Sequence, residues 1–380
     1  KTAYEIMPSL VGSEMCIRDR LICFEEEKAK QFIEKVWGLN PTFICVIGNT
    51  ETAKIPRISA AGKYPELTDY TPAADVELLF YGRCKCIKGV PVTPEGIPTP
   101  ALITMSAVRV ADIPVFVVNA GVKVKPHIPF IEVEGSPGND IRTGRAVKDP
   151  EKIFQRSVLL GESFAKISDY LVIGESIPGG TTTAPGVLLA MGIDAEGKVS
   201  SSMPNNPHDL KLRVVKEGLA STNVDPERLK KDPLVAASAV GDPMMVAFAG
   251  LIVGAAKRIP VVMAGGTQMA AVLAIVKGKN PNVLENVVIG TTRWIIDDNT
   301  SDLIYLVSQI ARVPVLAANL NFSYSKYDGL QMYEKGAVKE GVGAGGATIA
   351  SILKSKGNIT CKTILSDIEK NYERLLSLKH

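Results

Sequence analysis

Seven short runs, each apolar from end to end, constrain this chain more than any other feature of its sequence. They are Thr42–Asn49 (TFICVIGN), Val76–Gly82 (VELLFYG), Pro114–Gly121 (PVFVVNAG), Tyr170–Ser176 (YLVIGES), Ile259–Gly266 (IPVVMAGG), Asn286–Thr292 (NVVIGTT) and Pro314–Asn319 (PVLAAN). A strand with one wet face alternates apolar and polar residues, whereas a strand apolar at every position is covered on both faces. Several of the runs end in glycine and lead into helix-compatible sequence. The first is preceded by a stretch that puts Ala29, Phe32, Ile33, Val36 and Trp37 at helical spacing. The expectation is an α/β fold: a doubly wound, mainly parallel sheet with helices on both faces, plus a small helical subdomain from the terminal segments. In such sheets ligands bind beyond the C-terminal ends of the strands, so chemistry is sought just after each run.

Residues 21–380 read as one domain, with no internal repeat or low-complexity linker. Residues 1–20 (KTAYEIMPSLVGSEMCIRDR) lack the basic start and apolar core of a signal peptide. They read as translated adapter sequence, non-native and set aside, which leaves open whether a native N-terminal segment precedes Leu21. The Pro/Gly/Thr-rich stretch from Ser59 to Pro100 is expected to form ordered loops, some lining the site.

Composition narrows the function. Hydrophobic residues make up 46% of the chain and charged ones 22%, enough for a large core. A net charge of +3 without long Lys/Arg runs lacks the electrostatic footprint of a nucleic-acid binder. The longest apolar run, Met244–Ala256, is shorter than the roughly 20 residues of a membrane span and is expected to be a buried helix. The six cysteines are scattered and read as reduced thiols of a cytoplasmic protein. Cys84 and Cys86 would occupy alternating strand positions, and no metal site is expected.

Three post-strand segments carry candidate chemistry. After Tyr170–Gly174 come Glu175, Gly179, Gly180 and three threonines opening an apolar helix. This is either an ordinary turn or a phosphate cradle capped by threonine at a helix N-terminus. Glu175 favours function, because a carboxylate at the tip of a buried strand is costly without a partner. After Ile259–Gly266, Thr267 could cap a helix and Gln268 could present an amide. In Lys339–Ala347 (KEGVGAGGA), Glu340 precedes four glycines and a helical run, where it either accepts a proton from a substrate or merely favours the helix dipole. Neither the G-x-G-x-x-G dinucleotide fingerprint nor a P-loop is present.

In order and spacing, Gly138–Val147 (GNDIRTGRAV), Gly174–Ala184 (GESIPGGTTTA), Asp209–Ala220 (DLKLRVVKEGLA), Ala249–Val262 and Lys339–Ala347 resemble the nicotinate-nucleotide:dimethylbenzimidazole phosphoribosyltransferase family, most closely its archaeal-type branch. The resemblance spans roughly residues 135–353. It implies transfer of ribose 5-phosphate from nicotinate mononucleotide to a benzimidazole-type base, giving nicotinate and α-ribazole 5′-phosphate for the lower ligand of cobalamin-type cofactors. Glu340 would be the general base and Glu175 a second active-site carboxylate. Backbone amides from Ile177 through Gly179, Gly180, Thr181 and Thr182 would cradle the phosphate, Lys211 would add a cation, and Gly290–Arg293, with Thr291 and Thr292, would complete the pocket. Gly341 and Gly343 would let substrate lie against the backbone. Ile177 and Pro178 stand where the family has glycine-rich sequence, Asn119–Val122 (NAGV) where it has Gly-Asp-His-Gly, and Met263–Gly266 (MAGG) where it has Asp-Gly-Phe. No cofactor, metal, nucleic acid or membrane is implied. A homodimer is, with apolar segments around Met244 as its surface. Alternatives are another acceptor (adenine, a phenol or an azole) or a nucleotide-binding protein without catalysis.

Overall fold

The computed structural model describes residues 20–59, 65–93, 95–203 and 205–377. Apart from Arg20, the adapter-like segment with Cys16 lies outside these residues. Among the described residues eight strands form one sheet: β1 (Leu21–Phe24), β2 (Pro41–Gly48), β3 (Val115–Gly121), β4 (Ile131–Glu132), β5 (Tyr170–Ser176), β6 (Val261–Ala264), β7 (Val287–Thr292) and β8 (Val315–Ala318). Their order across the sheet is β1-β8-β7-β6-β5-β2-β3-β4. β1 runs antiparallel to β8 and the other pairings are parallel. The neighbours β2 and β5, with Val46 opposite Glu175, send the chain in opposite directions, towards β3 and towards β6. That reversal is the switch point at which a doubly wound sheet opens a crevice.

The helices that matter below are α1 (Glu26–Val36), α2 (Thr71–Tyr81), α3 (Ala101–Val110), α4 (Pro150–Phe164), α5 (Gly180–Ala190), α6 (His208–Ser221), α7 (Pro243–Ala255), α8 (Met269–Lys279), α9 (Ala344–Lys354) and α10 (Cys361–Ser377). Alternate strand residues feed opposite layers. Leu171 and Ile173 pack with α4 to α8, whereas Tyr170 and Val172 pack with α1, α2, α3, α9 and α10. The C-terminal helix α10 is the helical terminal segment expected from sequence; its Asn371 accepts from Arg109 Nη1 of α3 at 3.2 Å.

Six of the seven apolar runs are strands. The exception, Val76–Gly82, belongs to α2. Its helical state follows from Pro72 in the first turn and from Gly82, which ends the helix at φ 63°. An apolar run of this length fits either element, and these end signals decide it. Cys84 and Cys86 accordingly lie in irregular chain after α2, not on a strand. β1 (LICF) and the two-residue β4, at the sheet's two edges, are not among the seven runs.

Helices α4 and α7 cross with their backbones in contact. A Cβ on Gly161 would strike the Leu251 carbonyl, one on Gly250 the Phe154 carbonyl and one on Gly254 the Val158 carbonyl. Every residue of α7 is buried within the single chain. The apolar segment around Met244 therefore has no face left for a dimer partner. No helix among the described residues is long and apolar enough to cross a membrane.

Candidate active site

Beyond the C-terminal ends of β5 and β6 lies a cavity of about 1280 Å³. Its floor is built from Glu175–Thr181 at the end of β5, Gly266–Gln268 after β6, and the Glu340–Val342 turn ahead of α9. Its roof is the irregular chain from Arg83 to Thr93 with the Thr99–Pro100 corner, which bears out the expectation that part of the Ser59–Pro100 stretch lines the site. Glu77 holds the roof by accepting the amides of Lys85 (2.5 Å) and Cys86 (2.8 Å), and it ties in His127 N at 2.9 Å. Burial alone would raise this carboxyl; the amide donors overcome it and hold the group at about 2.

Glu340 stands on a strained turn. Val338, Lys339 and Val342 have φ of 63°, 70° and 54°, a region β-branched side chains avoid, and such strain persists only where surrounding contacts over-determine it. Here Thr292 Oγ1 donates to the Lys339 carbonyl (2.6 Å) and Thr104 Oγ1 to the Val342 carbonyl (2.9 Å). Gly341, at φ 153°, takes a conformation that favours glycine, and Gly343 adds a further left-handed position at φ 69°. The carboxylate accepts Gly341 N and Gly345 N, each at 3.2 Å. Burial nevertheless raises its proton affinity to about 8, with these amides opposing the shift.

Two more carboxylates border the cavity. Glu175 accepts Ile177 N at 3.1 Å; burial, then the charges of Glu340 and Asp242, push it well above the usual carboxylate range. Asp75, from α2, accepts Thr99 Oγ1 at 2.8 Å and Ser176 Oγ at 2.7 Å. Burial raises it to about 6 against those hydroxyls. Asp75 escapes the sequence reading because its segment reads as a loop running into a strand. The Thr71-Pro72 start and the Gly82 stop are the signals that place it on a helix.

The α5 N-terminus faces the same space. Gly179, at φ 86°, begins the helix and no side chain caps it. The expected threonine cap is corrected: Thr183 Oγ1 turns to Asp242 at 2.5 Å. Ile177, Gly179, Gly180 and Thr181 border the cavity as expected from sequence. The turn after β6 sits between this N-terminus and Glu340. A Cβ on Gly180 would come within 2.7 Å of Gln268 Oε1, and one on Gly266 within 3.7 Å of Glu340. Thr267 does not cap α8; its Oγ1 accepts Ser200 N at 2.9 Å.

Other expected site residues lie behind the wall. Thr182 and Thr291 have buried hydroxyls without a hydrogen-bond partner among the described residues, Thr292 supports the Glu340 turn, and Gly343 packs against Gly174. Arg293 pairs with Glu334, away from the cavity. Asn119 folds back onto Gly121 N and Val122 N, both at 2.9 Å, so the Asn119–Val122 turn is a closed structural one.

Lys211 is also displaced from its expected role. It is buried, and its Nζ donates to the Ser200 carbonyl (2.7 Å) and Asn206 Oδ1 (3.0 Å). Burial and the neighbouring Lys339 lower its pKa to about 7. Ser200 borders the cavity and donates Oγ to Asp298 Oδ2 at 2.6 Å; Asp298 in turn pairs with Lys339 at 3.3 Å. Lys211 thus holds the Ser200–Ser202 rim from behind. Lys211→Met leaves the buried Ser200 carbonyl and the half-buried Asn206 Oδ1 without this donor and is expected to lower stability by about 1–3 kcal/mol, measurable as a shift in the urea midpoint; an unchanged midpoint would show that the rim holds without it.

Comparison with known proteins identifies relatives of the whole chain. A family model described as Phosphoribosyltransferase matches residues 102–293. A UPF0284 protein of Sulfolobus acidocaldarius is 49% identical over 351 residues, 91% of this chain and 99% of that protein. One from Methanothermobacter thermautotrophicus is 44% identical, over 85% of this chain and 90% of that one. Among solved structures, the nicotinate-nucleotide-dimethylbenzimidazole phosphoribosyltransferase of Thermus thermophilus shares the fold, with a TM-score of 0.55 at 17% identity over 92% of this chain and 96% of that chain. The family-model match over half of the chain, together with these relatives, places the chain in the phosphoribosyltransferase family, alongside the archaeal UPF0284 proteins.

Proposed function

We propose that the protein transfers ribose 5-phosphate from nicotinate mononucleotide to a benzimidazole-type base in the cytoplasm, as a step in assembling the lower ligand of a cobalamin-type cofactor. The observation that carries this reading is the placement of Glu340: a carboxylate of raised proton affinity bordering the cavity, with the Gly266–Gln268 turn between it and an uncapped helix N-terminus. The α5 amides would take the phosphate, since a helix N-terminus offers N–H donors and a positive dipole end to an anion. One ring nitrogen of the acceptor attacks C1′ from the face opposite the pyridinium. The C1′–N bond to nicotinate breaks, its electron pair leaves with the ring nitrogen, and the configuration inverts. The acceptor's ring N–H proton passes to Glu340, whose ionised form is the competent one. Glu175, behind the reacting centre, would order the ribose.

Incubation with nicotinate mononucleotide and a panel of benzimidazoles, followed by mass spectrometry, should show release of nicotinate together with the ribosylated base phosphate. kcat/KM should rise with pH and reach half its plateau near the Glu340 value of about 8. Tight nucleotide binding without any product across azoles, purines and phenols would replace this reading with that of a binding protein.

A further inference from the structure

A second wall of the cavity has a polarity set by a single side chain. Asp75 accepts the one proton of Ser176 Oγ and the one proton of Thr99 Oγ1. A hydroxyl has only one hydrogen to give, so both oxygens are left as acceptors, and Thr99 Oγ1 also accepts Ala101 N at 3.2 Å. Each carboxylate oxygen keeps a further lone-pair direction. Val90, Val92, Ile97 and Leu375 border the same space, as do Arg83, Lys85 and Lys88 of the roof. The patch also lies beside the candidate base: a Cβ on Gly341 would come within 3.0 Å of Pro100, the residue after Thr99. A flat ring presenting its N–H to Glu340 would meet, at these three side chains, acceptors and no donor.

We infer that Asp75, acting with Ser176 and Thr99, is a specificity-determining group that selects acceptor rings bearing a hydrogen-bond donor, an amino or hydroxyl substituent, on the edge away from the attacking nitrogen. The inference rests on the phosphoribosyl-transfer reading and refines its acceptor. An alkylated edge would cover the carboxylate without pairing it, and a site built to hydrogen-bond a substrate group rejects the analogue that lacks it. An amino group in place of a methyl, at nearly the same size, supplies the missing donor.

The test is a competition between 5-aminobenzimidazole and 5-methylbenzimidazole, each with nicotinate mononucleotide, in the full chain. Wild type should favour the amino ring by roughly 10- to 100-fold in kcat/KM, the range for a hydrogen bond to a charged group. Asp75→Asn, which turns part of the patch into a donor, should cut that preference about tenfold. Ser176→Ala keeps the charge and should cut it less. A ratio taken within one protein does not depend on how much of a preparation is folded, so a destabilised variant still gives an answer. Equal use of both rings by wild type, or an undiminished preference in Asp75→Asn, overturns the inference and leaves the transferase reading standing. If neither ring is ribosylated, the transferase reading fails and takes the inference with it.

Discussion

Glu340→Gln is expected to lower kcat by roughly 10²- to 10⁴-fold, the usual contribution of a positioned general base, while nucleotide affinity stays within a few-fold of wild type. The amide keeps the shape of the side chain and can still accept the Gly341 and Gly345 amides through its oxygen, so the turn should survive and only the proton acceptor is lost. The stability of the same variant gives an independent reading. The folded protein holds the Glu340 proton up to about 8, whereas a glutamate in the unfolded chain releases it near 4.3. A group whose folded value is raised contributes stability at low pH and loses it as pH rises through that window. Above pH 8 the wild type carries a buried charge that the glutamine variant lacks, so the variant should melt at the higher temperature there, and the gap should close towards pH 4. A variant that is inactive and less stable at pH 9 would mean that the carboxylate holds the turn instead of serving the reaction.

Gly254→Val is the substitution expected to damage the fold most. The Val158 carbonyl occupies the place a Cβ would need, and Gly161 and Gly250 lock the same crossing on either side. Overpacking a core costs about 1–3 kcal/mol where side chains can move aside. Here the obstacle is backbone, so the loss should reach the top of that range or exceed it. Because α7 lies buried between α4 and α8, moving it would open the layer under β2 and β5, and urea unfolding should show a lower midpoint. An unchanged midpoint would mean that the two helices cross farther apart than described.

Much of the architecture is legible in the sequence because strands buried on both faces write themselves as continuous apolar runs. Six of the seven runs are strands, and Val76–Gly82 departs because a short apolar run does not encode its own period. That single misreading hides Asp75, the one cavity carboxylate absent from the sequence reading. Glu175, Glu340 and the Ile177–Thr181 turn stand out because their spacing follows directly from strand ends and helix starts. Lys211, Thr291 and Thr292 stand in the right segments but turn inward. Sequence spacing places a residue on an element; which side of that element packs depends on partners such as Ser200 and Asn206 that lie elsewhere in the chain. The roof between Arg83 and Thr93 can be recognised as loop, yet its amides are held by Glu77, itself paired with His127, and no local pattern links these.

The cavity's floor and roof are made by different kinds of chain, and that difference bears on how such an enzyme can change over time. The floor consists mainly of strand ends fixed by neighbours on both sides, where a substitution disturbs the sheet itself. The roof is held by two hydrogen bonds to Glu77, by Val90 in the core and by Thr99 on Asp75, and it contributes no strand to the sheet. On the proposed reading, the ribose phosphate would be handled by the scaffold, while the acceptor ring would meet side chains from both, Asp75 and Ser176 of the scaffold and Thr99 of the roof. Diversification of acceptors within a lineage would then be recorded at Asp75 and Ser176 as well as in the roof, and transplanting the roof alone between relatives would exchange only part of their preferences.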